Sequence, residues 1–334
     1  MYLAEMAPPN LRGAIVMVAH LFFAIGVLLA QVFGLHLVLG TNTGWPILLG
    51  LTAIPAFIQI LLLPSFPESP RYLLIQGKNE MAARQALKML RGRDDVEDEI
   101  EELRQEDLAE AAEKSMNIFK ILCFPSLRWQ VISVFVLILG QQLSGINIVY
   151  FYLESIYLST GIEEVHIQYF SVVVTLVLVL VVLGTVFVVD SWGRRCLLLT
   201  GFGTCSLACV FLTMSLDLQN TVPWMSYFST AFVIIFRFGH IIGPAPIPSV
   251  VIAELFLQSS RSTAFVIGGS LHWLCNLIVL IVFFHIEGML WTYTFLIFLP
   301  FSIATFYYIF RVIPETKNKT FLEIRANLVK KYAA

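Results

Sequence analysis

The chain has 334 residues, 58% hydrophobic and only 13% charged, with a formal net charge of −2. A soluble domain averages about 45–50% apolar and about 25% charged residues. That composition excludes an ordinary soluble globular fold and leaves a polytopic membrane protein. Eight apolar stretches approach the roughly 20 residues a helix needs to cross about 30 Å of hydrocarbon. They are 14–39, 45–64, 129–157, 167–189, 196–216, 223–253, 264–286 and 289–311. Alternating β-barrel patterning is absent, so the expected fold class is all-α.

In chain order, Ala4-Glu5-Met6 comes first, with Arg12 seven residues after the glutamate. The first two spans follow and end at Pro67-Glu68-Ser69. Ala253-Glu254-Leu255 repeats this entry with Arg261, and Pro314-Glu315-Thr316 repeats the exit; the entries lie 249 residues apart and the exits 247. One unit, duplicated and still in phase, explains both. The second copy is preceded by about four further spans and the first by none. The expectation is a duplicated membrane protein that lacks the front of its first half.

The polar segment lies at 66–126. Ser69-Pro70 predicts an N-cap followed by proline at the first helical position. Acids and bases then alternate with Ala and Leu through Leu108, which predicts short amphipathic helices. The acidic run from Asp94 to Glu102 is expected to be a solvated helix face rather than a binding tail. The stretch from Glu68 to Arg128 holds ten of the 21 Lys and Arg residues, whereas the turns near 40–44, 158–166, 217–222 and 287–288 hold none. The positive-inside rule places the long loop and both termini in the cytoplasm.

The third span contains Gly140-Gln141-Gln142-Leu143-Ser144-Gly145-Ile146-Asn147, three carboxamides and a hydroxyl in an apolar helix. Carboxamides donate and accept without charge, which suits a neutral polyol such as a sugar. Interhelical hydrogen bonding is the structural alternative. In the sixth span, the three prolines of Gly243-Pro244-Ala245-Pro246-Ile247-Pro248 remove three donors and must break the helix. Lipid does not tolerate free carbonyls, so the break lines a cavity or is covered by protein; discontinuous helices near the midplane mark secondary transporters. In the seventh span, Trp273 and Asn276 add an aromatic face and another amide. His240 and His272 also fall inside spans, where packing is the plainer role. Arg237 has no acid close in sequence, and cavity lining, snorkelling and a damaging substitution stand side by side.

Glu5, Asp190, Glu254 and Glu315 lie at predicted cytoplasmic ends, near Arg12, Arg194, Arg195 and Arg261. An ion-pair layer there is expected to gate the inner mouth, with topology anchoring as the alternative. No acid is visible at mid-membrane, so nothing points to proton coupling. The five cysteines, Cys123, Cys196, Cys205, Cys209 and Cys275, imply no disulfide framework and no metal site. His-Glu-x-x-His and Gly-x-Ser-x-Gly are absent, and no enzyme activity or cofactor is expected.

Taken together, Glu5 to Arg12-Gly13, Pro67-Glu68-Ser69-Pro70-Arg71, Gly140 to Asn147, Asp190 with Gly193-Arg194-Arg195, Pro244 to Pro248, Glu254 to Arg261 and Pro314-Glu315-Thr316-Lys317 resemble the facilitative hexose transporters. These are sugar porters of the major facilitator superfamily, and the resemblance covers essentially the whole chain. It implies a fold of twelve helices in two halves, here without the first four. Residues 1–65 would be the remnant of the N-terminal half, 66–126 a cytoplasmic helical linker, 127–312 the C-terminal six-helix half and 313–334 a cytoplasmic tail. Ser249 after Pro-Ile-Pro, His240 before Gly243-Pro244, and His272-Trp273 look like the fructose-transporting branch. By resemblance, Gln141, Gln142, Asn147, His240, His272, Trp273 and Asn276 line the sugar cavity, with Tyr150 and Phe151 at its outer gate. His20 stands where the family carries a cavity glutamine, Leu178 where an asparagine is usual and Phe151 where a tyrosine is usual. The expected function is passive hexose transport by alternating access at the plasma membrane, for fructose and with glucose as the further substrate. Hexose and the lipid bilayer are the expected partners, with no nucleic acid. The alternative is a truncated, non-transporting isoform or gene-model fragment of such a transporter.

Overall fold

A computed structural model describes residues 2–8, 11–110, 118–317, 319, 323 and 324. Among these residues the regular structure is helical, and eight segments are long and apolar enough to cross a membrane. They are Gly13–Phe33, Trp45–Ser65, Arg128–Leu158, Glu164–Trp192, Arg194–Leu218, Met225–Leu255, Ser260–Ile286 and Thr294–Arg311. All eight expected spans are present. The first stops at Phe33 rather than 39, because Gly34 caps it through its N–H on the Ala30 carbonyl at 2.8 Å and turns follow. The last begins at Thr294 rather than 289, after a 3₁₀ turn at Trp291–Tyr293.

The chain opens with α1 (Tyr2–Met6) and α2 (Arg12–Phe33). The second span is split into α3 (Trp45–Gly50) and α4 (Ala53–Leu62). Pro55 explains the split, since its ring opposes the carbonyl four residues earlier, at Leu51. No residue of α3 or α4 is buried.

The linker is built from α5 (Glu80–Arg91), α6 (Glu97–Glu110) and α7 (Ile118–Cys123). Ser69 accepts from the Tyr72 N–H at 3.3 Å, as its capping role requires, and a π-helical turn at Tyr72–Gln76 follows. Asn79 caps α5 by accepting from Ala82 N–H at 3.0 Å, and Gly92 ends it at φ 63°, a left-handed conformation that glycine adopts without strain. Leu74, Ile75, Ala83, Leu87, Val96, Ile100 and Leu103 form a separate small core.

The acidic run forms the solvated face expected: Asp94, Asp95, Glu97, Asp98 and Glu101 are exposed, and Glu99 and Glu102 are half-buried. Val96, Ile100 and Leu103 bury its other side, Glu97 pairs with Arg84 of α5, and Glu99 pairs with Arg91 of α5 at 2.9 Å and with Arg93, just beyond that helix, at 3.1 Å. Arg91 also donates to the Met6 carbonyl at 3.0 Å, and the Tyr2 hydroxyl to the Pro67 carbonyl at 2.6 Å, so α1 is tied to the linker. Partial burial pushes the Glu99 carboxyl up, but hydrogen bonds and charge from Arg91 and Arg93 outweigh it and leave the group below its usual range. A lowered folded-state pKa stabilises above the unfolded value, near pH 4.3, and that stability is lost as pH falls through the folded value. Hydrogen-exchange protection of α5 and α6 is expected to be steady near neutrality and to drop in acid below about pH 4. Protection that persists unchanged into strong acid would remove these pairs from the account.

The remaining spans form one bundle. α8 (Arg128–Gln142) and α9 (Ile146–Leu158) make up the third span. Gly145 breaks it at φ 89°, with the Phe298 ring 3.2 Å from where a Cβ would lie. α10 (Glu164–Trp192) and α11 (Arg194–Leu218) meet at Gly193. α12 (Met225–Ile242) and α13 (Ile247–Leu255) flank the proline-rich break, and α14 (Gln258–Leu290) and α15 (Thr294–Arg311) complete the set. α11 packs along α12 and α15, α14 against α8, and α10 against both α12 and α2. One core surrounds Leu137, Leu198, Phe202, Ile247 and Phe256, and includes Met17 of α2. A second surrounds Ile148, Leu212, Phe236 and Phe283. The pair α2 and α3–α4 thus joins the bundle through α2.

Candidate functional site

The proline-rich break supplies the site with a backbone acceptor. Pro244, Pro246 and Pro248 cannot donate and the helix is broken there; two carbonyls at the break accept from side chains. Gln141 Nε2 donates to the Ala245 carbonyl at 3.0 Å, and the Ser249 hydroxyl donates to the Pro246 carbonyl at 2.7 Å. His20, on α2, is directed at the same Ala245 carbonyl. His240 lies against the Gln141 backbone, with His20 and His272 close by. Its Nε2 is buried without a hydrogen-bond partner.

Gln142 is the hub. Its Oε1 accepts from Asn147 Nδ2 at 3.0 Å and from Asn276 Nδ2 at 3.3 Å, and its Nε2 lies 2.9 Å from His272 Nδ1. The same Nδ1 lies 3.2 Å from Gln141 Oε1. One ring nitrogen cannot accept from Gln142 and donate to Gln141 together. With the proton on Nδ1, the ring donates to Gln141 and its Nε2, 3.2 Å from Gln142 Nε2, accepts from Gln142; with the proton on Nε2, Nδ1 accepts from Gln142 and Gln141 Oε1 is left able to bond elsewhere. The cluster offers many neutral donors and acceptors and no formal charge beyond what its imidazoles take up.

The structure brings Gln141, Gln142, Asn147, His240, His272, Asn276 and His20 together from α2, α8, α9, α12 and α14. Trp273 stands beside His272, its ring edge-on at 5.3 Å, and is 72% exposed. Tyr150 and Phe151 belong to other layers. Tyr150 lies under the Arg237 guanidinium at 5.4 Å, and Phe151 packs edge-on against Phe283 at 5.0 Å and Phe284 at 5.4 Å. Leu178 is buried in α10. Sequence reasoning did not anticipate the Ala245 carbonyl or the Ser249 back-bond.

The predicted charged layer assembles around Arg194, which is only 2% exposed. Its Nη1 pairs with Asp190 at 2.9 Å and its Nη2 with Glu254 at 2.7 Å. Glu315 Oε1 accepts the Arg194 backbone N–H at 2.9 Å and Oε2 that of Arg195 at 3.1 Å. The Thr316 hydroxyl adds a bond to Glu254 at 2.5 Å. Asp190 Oδ2 accepts from Ala14 N–H at 3.0 Å, which anchors α2 to the cluster. Gly13 is required there, because a Cβ would fall 2.5 Å from both Asp190 and Arg194. Arg195 donates to the Phe310 carbonyl at 2.5 Å and Arg261 to the Phe256 carbonyl at 3.0 Å. Glu5 lies apart from Arg194, in a small cleft with Arg71, Arg91 and Glu99. The side chain of Arg12 lies outside the described residues.

A family model described as "Sugar (and other) transporter" matches residues 1–328. The chain belongs to this sugar transporter family. It is therefore a multi-pass membrane protein of a carrier family, not an enzyme. The facilitated glucose transporter member 5 of solute carrier family 2 from Rattus norvegicus is 54% identical over 331 residues, 99% of this chain. Member 7 of the same solute carrier family, from Homo sapiens, is 47% identical over 331 residues, again 99% of the chain. The chain spans 66% of the length of the rat relative and 65% of the human one. The major facilitator proton:xylose symporter XylE, solved with 6-bromo-6-deoxy-D-glucose, superposes with a TM-score of 0.81 at 20% identity. That match covers 98% of this chain and 69% of the symporter chain, and it shows that the two share a fold.

Proposed function

We propose that the protein carries hexose passively across the plasma membrane by alternating access, with fructose as the preferred sugar and glucose as the second. The observation that carries this reading is the uncharged amide and imidazole cluster built on Gln142 beside the broken sixth span. A sugar presents hydroxyls that donate and accept, and the cluster matches them without a net charge to neutralise. Trp273 provides an exposed aromatic face for the apolar side of the ring. The names of the relatives support a facilitated hexose carrier. The fructose preference rests on Ser249, His240 and His272-Trp273, which look like the fructose-transporting branch.

In this reading residues 1–65 belong to the N-terminal half, 66–126 are the linker, 127–312 the C-terminal half and 313–334 the tail. Both termini face the cytoplasm, a placement that the distribution of Lys and Arg supports. The sugar binds near the midplane, and the Arg194 cluster holds the linker-side mouth shut until the halves rock apart. No carboxylate contacts the amide cluster among the described residues, which supports carriage without a coupled proton.

Equilibrium binding of labelled fructose and glucose to the purified protein tests the site. Fructose is expected to bind saturably, to be displaced by unlabelled hexose and to alter Trp273 fluorescence. Absence of saturable binding would overturn the reading. His20 is the position to vary first, because it faces the Ala245 carbonyl with an imidazole where the family pattern has an amide. His20→Gln is expected to raise hexose affinity about fivefold, the worth of one net hydrogen bond near 1 kcal/mol. Unchanged or weaker binding would count against His20 in the cavity.

A further inference from the structure

A cavity of about 240 Å³ opens at the end of the bundle opposite the Arg194 cluster. Arg194 begins α11, and Leu216 of the cavity wall lies about 33 Å further along that helix at about 1.5 Å per residue. The packing explains the space. α11 lies along α12 and α15, whereas α9 packs on α10, α12 and α14. The cavity lies between α9 and the α11–α15 pair, with Thr292 of the turn at Trp291–Tyr293 in its wall. The Tyr293 hydroxyl donates to Asp217 at 2.9 Å, which holds this turn to the end of α11 beside the cavity. The residues of the amide cluster have no part in the wall.

The wall is divided by polarity. Ile156 of α9, Leu216 of α11 and Phe295 of α15 are buried and apolar. The Tyr152 and Phe295 rings, with centroids 5.7 Å apart, add aromatic surface. Ser155 and Ser159 are exposed and mark the mouth. Gln219 supplies the polar anchor: its Oε1 is buried and has no hydrogen-bond partner among the described residues. A buried amide oxygen without a donor is costly, so the wall calls for an occupant that brings one. Water brings a donor but leaves Ile156, Leu216 and Phe295 wetted, whereas an apolar body takes their surface out of water.

Among the described residues no charged side chain lines the cavity, which selects a neutral ligand. A cavity of roughly 150 Å³ holds benzene, and drug-sized ligands take about 300–1,000 Å³. The volume here lies between the two and suits one ring with a short side chain. A hexose has the wrong distribution of polarity, because hydroxyls all round its ring would meet the apolar residues without partners. We propose that this cavity binds a neutral monocyclic phenol, with its ring on Ile156, Leu216 and Phe295 and its hydroxyl donating to Gln219 Oε1. The end of the bundle is also where such a molecule collects, since an apolar body with one polar tip favours the boundary between membrane and water.

The test uses 4-propylphenol and the purified full chain in lipid nanodiscs. Equilibrium dialysis is run beside the same nanodiscs without protein, so that uptake into lipid is subtracted. Saturable binding to the chain is expected. Leu216→Trp is expected to abolish it by filling the cavity, and Gln219→Leu to weaken it about fivefold by removing the acceptor. Propylbenzene, which lacks the hydroxyl, is expected to bind the unaltered chain about fivefold more weakly, and to match 4-propylphenol on Gln219→Leu. Should Leu216→Trp fail to fold, Ser155→Trp at the exposed mouth makes the same test. Uptake no greater than in protein-free nanodiscs, binding undiminished by the tryptophan, or equal affinity of the unaltered chain for both probes would each overturn the site.

Discussion

Gln142→Ala is expected to weaken hexose binding by roughly 100-fold while leaving the protein folded and membrane-inserted. Gln142 alone touches Asn147 of α9 together with Asn276 and His272 of α14. With about 1 kcal/mol net for each hydrogen bond, three bonds amount to about 3 kcal/mol, or two decades in affinity. The alanine also leaves two amides and an imidazole without their mutual partner, so they no longer hold the orientation a sugar would meet. By contrast, Gln141→Ala removes the bond to the Ala245 carbonyl and a contact with His272, and a smaller loss is expected. Labelled-fructose binding, normalised to the amount of protein, measures both. Near-normal affinity in Gln142→Ala would show that the amide cluster is only packing between helices.

The second large effect is expected at Arg194. Arg194→Met leaves Asp190 and Glu254 facing each other with no cation between them, at a site where the arginine was 2% exposed. Removing one partner of a buried pair costs about 3–5 kcal/mol, because the other charge stays buried and uncompensated. α2 is loosened as well, since Asp190 also holds the Ala14 N–H. Arg194→Met is expected to lower the melting temperature by many degrees and to abolish carriage. A double-mutant cycle separates charge from packing. Combining Arg194→Met with Glu254→Gln is expected to restore part of the stability, because the second change removes a charge the first has stranded. Strictly additive losses would contradict the ion-paired layer.

The eight spans were legible because hydrophobic length is set by the bilayer rather than by neighbours. The break at residues 243–246 was legible for a similarly local reason, since proline cannot donate. The amide octet marked the site, and the charged layer was marked by acids and bases gathered at the same ends of the spans. The partners within each cluster were not legible. Glu254 is paired with Arg194, 60 residues away, and nothing in the seven-residue spacing to Arg261 points to that pair. The duplicated motif also conceals an asymmetry. Glu254 enters the Arg194 cluster, whereas Glu5 sits against the linker. Gly13 could be understood only once α2 was seen to lie against Asp190 and Arg194. The acidic run was legible as a solvated face, but the three spaced apolar residues that decide which way it faces, Val96, Ile100 and Leu103, could be assigned to a core only from the fold.

Passive carriage is tested most directly by uptake of labelled fructose into proteoliposomes containing the purified protein, with and without a proton gradient. Saturable uptake that equilibrates across the membrane, is competed by unlabelled fructose and is indifferent to the gradient is the predicted result. Uptake that fails to saturate, or that depends on the proton gradient, would contradict it.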